Sequence, residues 1–111
     1  MSSAARIDRY ADFWLHYLRQ HAHPWNRALH YLGSLSALAC CGLALARTDA
    51  RWLLLAPVLG YGAAWLGHFA IERNRPATFG HPLWSLCSDM RMTALFLCGR
   101  LGSELERSGL R

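Results

Sequence analysis

Two apolar stretches, LHYLGSLSALACCGLALA over Leu29–Ala46 and WLLLAPVLGYGAAWLGHFAI over Trp52–Ile71, decide the fold. Neither contains a charged residue, and as helices rising about 1.5 Å per residue they have the length of segments that cross about 30 Å of hydrocarbon. The residues between them, Arg47–Arg51, form a polar turn, so the pair reads as a helical hairpin. Gly33, Gly42, Gly60, Gly62 and Gly67, with Ser34 and Ser36, are small residues that let two helices approach closely in lipid and that serve an isolated helix in water badly.

The hairpin carries a symmetric polar pattern. His30 and His68 each lie 19 residues from Asp49, and Asn26 and Glu72 each lie 23 residues from it. Helices joined near Asp49 therefore bring the histidines to one level, and the four-residue spacing keeps His30 with Asn26, and His68 with Glu72, on one helix face. An ionisable group inside an apolar span is expensive and marks a functional site by default.

Outward from the hairpin, Tyr10, Phe13, Trp14, Tyr17 and Leu18 recur at helical spacing within Ile7–His21, which predicts an amphipathic helix on the bilayer surface. Pro24 ends that helix and suits the first turn of the next, with His23 serving the turn or capping the following helix. Beyond Ile71, Pro76, Gly80 and Pro82 punctuate a loop, and a helical pattern resumes from Ser85 to about Leu105. Its apolar run, Met92–Gly99, is too short to span alone and is expected to pack on the hairpin or lie at the interface. The predicted fold is all-α: a single domain over residues 1–111, a small membrane-associated helical bundle on a central hairpin, with an amphipathic N-terminal helix and a C-terminal helix.

All twelve basic residues are arginine and the formal net charge is +5. Arg6, Arg9, Arg19 and Arg27 precede the first span, and Arg73, Arg75 and Arg91 follow the second. The positive-inside tendency thus places the termini and the histidine end on the cytoplasmic side of a multi-pass membrane protein. The arginines form no stripe with interleaved aromatics, which argues against a nucleic-acid partner. Cys40, Cys41, Cys87 and Cys98 contain no C-x-x-C pair and read as reduced thiols. The N-terminal residues lack the apolar region of a cleavable signal.

Five of the six histidines, His21, His23, His30, His68 and His81, map to one end of the hairpin. Neutral imidazoles suit iron, zinc, copper or nickel, and a site with three or four protein ligands leaves a position for substrate or oxygen. The candidate ligands are His21, His30, His68 and His81. Glu72 is a candidate ligand, a hydrogen-bond acceptor for His68, or a catalytic base. Asn26 is a candidate for bonding a backbone group, a ligand histidine or the substrate, and Asp89 is read as structural. Facing histidines also suit the axial ligands of a b-type haem in an electron carrier. A non-enzymatic membrane scaffold or lipid-binding protein is the other competing reading.

The strings H21-x4-N26-x3-H30-x2-G33 and G67-H68-x3-E72-R-N-R-P76-A-T-F, followed by H81-P82-L-W-S85 and D89, resemble the family of the fungal endoplasmic-reticulum 2-hydroxy-fatty-acid dioxygenase of phytosphingosine breakdown. The resemblance covers about residues 10–92. It implies an Fe(II)-dependent, membrane-embedded enzyme that uses molecular oxygen to shorten a 2-hydroxy fatty acid by one carbon with release of carbon dioxide. It also implies His21, His30, His68 and His81 as the motif histidines, with Glu72 beside them. Arg73 or Arg75 would pair with the substrate carboxylate. The chain is shorter than the characterised members and lacks a clear second pair of spans after Asp89. The lipid pocket is then either smaller or completed by a second copy in a homo-oligomer.

Overall fold

The computed structural model describes residues 7–76 and 79–110. These form five α-helices, α1 (Tyr10–Gln20), α2 (Pro24–Ala46), α3 (Arg51–Leu66), α4 (Pro82–Leu97) and α5 (Leu101–Arg107), and α3 runs without a break into a π-helical turn, Gly67–Glu72. No strand occurs among the described residues.

The expected hairpin is formed by α2 and α3. Extended backbone at His23 (φ −79°, ψ 125°) and Pro24 in the first turn start α2, and the Trp25 N–H donates to His23 Nδ1 at 3.1 Å. This is the capping role expected of His23. At the far end Thr48 adopts a left-handed conformation (φ 50°), and Asp49 accepts hydrogen bonds from the backbone and guanidinium of Arg51. The close approach expected of the small residues occurs at Gly33, where a Cβ would lie 3.0 Å from both Gly60 O and Ala63 Cβ. Only a missing side chain lets the two backbones meet there.

Both limbs are long and apolar enough to cross a membrane, Pro24–Ala46 and Arg51–Glu72, and only 28% and 22% of their most apolar windows are buried. Leu32, Leu38, Leu54, Val58 and Leu66 face outward. An apolar surface of that extent is costly in water and suited to lipid.

The N-terminal helix differs from its expectation. Rather than lying free at an interface, α1 buries Phe13, Trp14, Tyr17 and Leu18 against Tyr31 of α2, Met92 of α4, and Leu101 and Leu105 of α5. The apolar stripe is the one the sequence displays, but protein covers it. Polar groups lock it in place: Trp14 Nε1 donates to Glu104 at 2.9 Å, and the Arg91 guanidinium lies 4.1 Å from the Trp14 ring centroid. The apolar run of α4 packs on α2 of the hairpin as expected and also on α1, but the expected helix begins earlier, because Pro82 takes its first turn, and is divided into α4 and α5 at Gly99 (φ 74°). All four cysteines are free thiols.

Candidate metal centre

Three imidazoles from three elements meet at the open end of the hairpin: His21 just after α1, His30 on α2 and His68 in the π-helical turn. All three are buried, with 0%, 4% and 1% of their surfaces exposed. One ring nitrogen of each lies within 4.8 Å of the other two, and the ring centroids stand 4.3 to 4.9 Å apart in edge-on arrangement.

The partners of the outer nitrogens fix the tautomers. His21 Nδ1 is 2.6 Å from Tyr17 O, His30 Nδ1 is 3.0 Å from Asp89 Oδ1, and His68 Nδ1 is 2.7 Å from Asn74 Oδ1. Each partner is an acceptor, so each Nδ1 carries the proton and each Nε2 keeps its lone pair. With the rings neutral, His21 Nε2 and His30 Nε2 face each other at 3.2 Å as two lone pairs. Two buried lone pairs at that distance repel unless a cation joins them. Nitrogens bound at about 2.0–2.1 Å to one tetrahedral or octahedral ion lie about 2.8–3.4 Å apart, so the spacing of this pair fits a shared metal ion. Burial, and then His30 and His68, hold His21 well below the usual imidazole pKa and keep it in the neutral, ligating form.

The surroundings hold these rings still. Tyr17 stacks on His21 with centroids 3.9 Å apart and donates its hydroxyl to Asp89 Oδ1, the atom that also accepts from His30. Burial first, and the Asp89 carboxylate next, raise the Tyr17 pKa well above the usual phenol value, so the hydroxyl keeps its proton. Asn74 bridges His68 to α1, because its Nδ2 donates to Gln20 O at 3.0 Å. It reaches this place because the π-helical turn ends at Arg73 in left-handed conformation (φ 60°), which folds the Asn74 N–H back onto His68 O. π-turns and such non-glycine conformations recur at functional sites.

The structure gathers three of the four expected motif histidines. His81 stands apart, stacked on Trp84 with its Nε2 3.3 Å from Ile7 O, because it packs against Phe13 near the start of α1 whereas His21 follows that helix's end. Glu72 is directed elsewhere too, since the wider π-turn carries it away from the His68 face that regular helical spacing predicts. Its Oε1 accepts from the His23 N–H at 2.6 Å and from Asn26 Nδ2 at 3.4 Å, fastening the start of α2 to the end of the second limb. The acceptor expected of Glu72 is supplied to His68 by Asn74. Asn26 is fully buried against Gly67, where a Cβ would collide with its side chain, and its Oδ1 has no hydrogen-bond partner. Arg75 lies over the Phe79 ring, and neither Arg73 nor Arg75 hydrogen-bonds to the three imidazoles.

Three residues at this centre escaped sequence reasoning. Tyr17 was visible only as part of an apolar stripe, Asn74 only as one letter of a motif string, and Asp89 as a structural acid. The third imidazole also disfavours the axial-haem geometry: His21 stands 4.3 and 4.4 Å by centroid from His30 and His68, in the space a macrocycle needs.

No curated protein and no solved structure matches the chain. A family model described as 2-hydroxy-palmitic acid dioxygenase Mpo1-like matches residues 7–101, which include all three imidazoles and each of their hydrogen-bond partners, and the chain belongs to the Mpo1-like family.

Proposed function

We propose that the protein is an Fe(II)-dependent dioxygenase that shortens a 2-hydroxy fatty acid by one carbon within a membrane. The observation that carries this reading is the convergence of three buried Nε2 lone pairs, each fixed by an acceptor on Nδ1, in a chain of the Mpo1-like family. His21, His30 and His68 would hold the ion, and three protein ligands leave positions open. Iron(II) bound there supplies Lewis acidity towards the hydroxyl and carboxylate oxygens of the acid and electrons for dioxygen.

The reaction balances with one dioxygen per acid. The C1–C2 bond breaks, C1 leaves as carbon dioxide, C2 becomes the new carboxyl carbon, and the remaining oxygen leaves as water. In this reading Asp89 keeps the Nδ1 proton on His30, Asn74 orients His68, and Tyr17 covers the His21 ring. Arg73 and Arg75, flanking Asn74 on the loop, are the candidates for the substrate carboxylate. The two apolar limbs would span the bilayer with the histidine end and termini towards the cytoplasm, as the arginine distribution favours.

The test is elemental analysis and an optical spectrum of anaerobically purified, detergent-solubilised protein, followed by oxygen uptake with 2-hydroxypalmitate. Near-stoichiometric iron, no Soret band, and equal yields of carbon dioxide and the shortened acid are expected. Full turnover by His30→Ala or His68→Ala would overturn the assignment.

A further inference from the structure

A cavity of about 240 Å³ adjoins the metal centre, with α2 along one side and α3 and α4 along the others. His30 and Asp89 stand at one end of it. From there its wall runs along α2 through Ser34 to Ala37, and along antiparallel α3 from Ala64 to Ala56, both towards the Thr48 turn. Seven helical rises from His30 to Ala37 and eight from Ala64 to Ala56 give the slot a length of about 10–12 Å. Its lining is overwhelmingly apolar, and Ala56 and Ala64 are each only 7% exposed. The slot has a polar end at a metal ligand and an apolar end about 10–12 Å deeper along the hairpin.

We infer that this slot measures the acyl chain, holding roughly the first eight to ten carbons beyond the head group, with Ala56 as a length-determining residue at its far end. The inference rests on the proposed dioxygenase reading. An extended chain with carbon–carbon bonds of about 1.5 Å advances about 1.25 Å per carbon, which gives that number for a slot of this length. Carbons beyond it leave the half-open cleft and run into lipid or detergent, where they gain little from the protein. Affinity therefore rises with chain length only while methylenes enter the slot, by about fourfold for each.

The experiment measures equilibrium binding of 2-hydroxy acids, from 2-hydroxybutanoate to 2-hydroxypalmitate, to anaerobic iron-loaded protein by competition with a fluorescent fatty acid. Metal content and melting are recorded alongside. The wild type should gain affinity about fourfold per methylene up to acids of about ten to twelve carbons in all and then level off. Ala56→Leu, which adds about three carbons to the far wall, should level off about three methylenes earlier with its metal retained. Ala64→Leu, close to the metal end, should weaken binding at every length. Ala56→Val, a smaller intrusion, should give an intermediate profile and keeps the test decisive if the leucine variant does not fold. Wild-type profiles in the Ala56 and Ala64 variants would overturn the slot and leave the dioxygenase standing. Iron-loaded wild type that binds no 2-hydroxy acid of any length would overturn the dioxygenase reading and the slot with it.

Discussion

At the Thr48 turn, polar groups satisfy one another locally, with Asp49 holding Arg51 two residues away. At the opposite end of the same hairpin, hydrogen bonds join residues far apart in sequence: Asn26 to Glu72, His30 to Asp89, and Tyr17 to Asp89, separated by 46, 59 and 72 positions. The first end is a connection that nearby residues specify alone. The second exists only when α1, α2, the π-helical turn and α4 have all docked: Tyr17 and Asn74 aim His21 and His68 from four and six residues away, but Asp89 aims His30 across 59, and only docking brings the three rings together. Damage at the two ends should differ in kind: loss of chemistry at one, and almost nothing at the other.

The largest effect belongs to the imidazoles, and it separates two histidines that look equivalent in sequence. His21→Ala should lose metal entirely, since it removes one of three converging donors, while His81→Ala should keep a wild-type complement because that ring stacks on Trp84. Elemental analysis of the two variants decides it. Metal lost from both would mean that His81 reaches the centre and that the three-histidine geometry is incomplete.

Next come the groups that hold the rings. Asp89→Ala removes the acceptor for both His30 and Tyr17, and Asn74→Ala removes the acceptor for His68 along with the bridge to Gln20. Each should weaken metal binding by about 10–100-fold without abolishing it, as outer partners of ligating histidines generally do. Titration against a chelator measures this, and unchanged affinity in both would show that the rings need no such support.

The hairpin, its turn and the level of His30 against His68 were legible because they follow from periodicity and counting along regular helix. The burial of α1 was half legible: its stripe could be read, whereas what covers it depends on α4 and α5 returning from far along the chain. Glu72 was misplaced for a definite reason. A spacing of four predicts a shared face in an α-helix, but Gly67–Glu72 is π-helical, and the wider turn sends Glu72 to His23 while Arg73 folds Asn74 back onto His68. Asp89 gave no local signal because its bonds to His30 and Tyr17 reach across 59 and 72 residues, whereas Tyr17 lies only four residues from the His21 ring it covers but reads in the sequence as one more member of an apolar stripe.

Gly67 sharpens the comparison with a smaller effect. It starts the π-helical turn, and a Cβ there would strike the Asn26 side chain. Gly67→Ala should cost about 1–3 kcal/mol of stability through forced displacement in a packed interior. The cost should fall in an Asn26→Ala background, since the colliding group is then gone. Melting of the two single variants and the double variant measures that coupling. Equal costs in both backgrounds would place the strain elsewhere.

The smallest effect is expected at the turn. Asp49 and Arg51 bond each other through an exposed contact that reaches no other element, and such a pair contributes little because water solvates both partners nearly as well when they separate. Asp49→Ala should therefore leave metal content unchanged and lower the melting temperature only slightly, through the lost acceptor for the Arg51 N–H at the start of α3. The left-handed Thr48 and the bond from Asp49 N–H to Ala44 O are backbone features that the substitution keeps, so the chain still has the means to reverse direction. Metal loss in this variant would mean that the turn sets the register of the two limbs and thereby the level at which His30 meets His68. The site would then depend on local contacts at the far end as much as on the long-range ones around it.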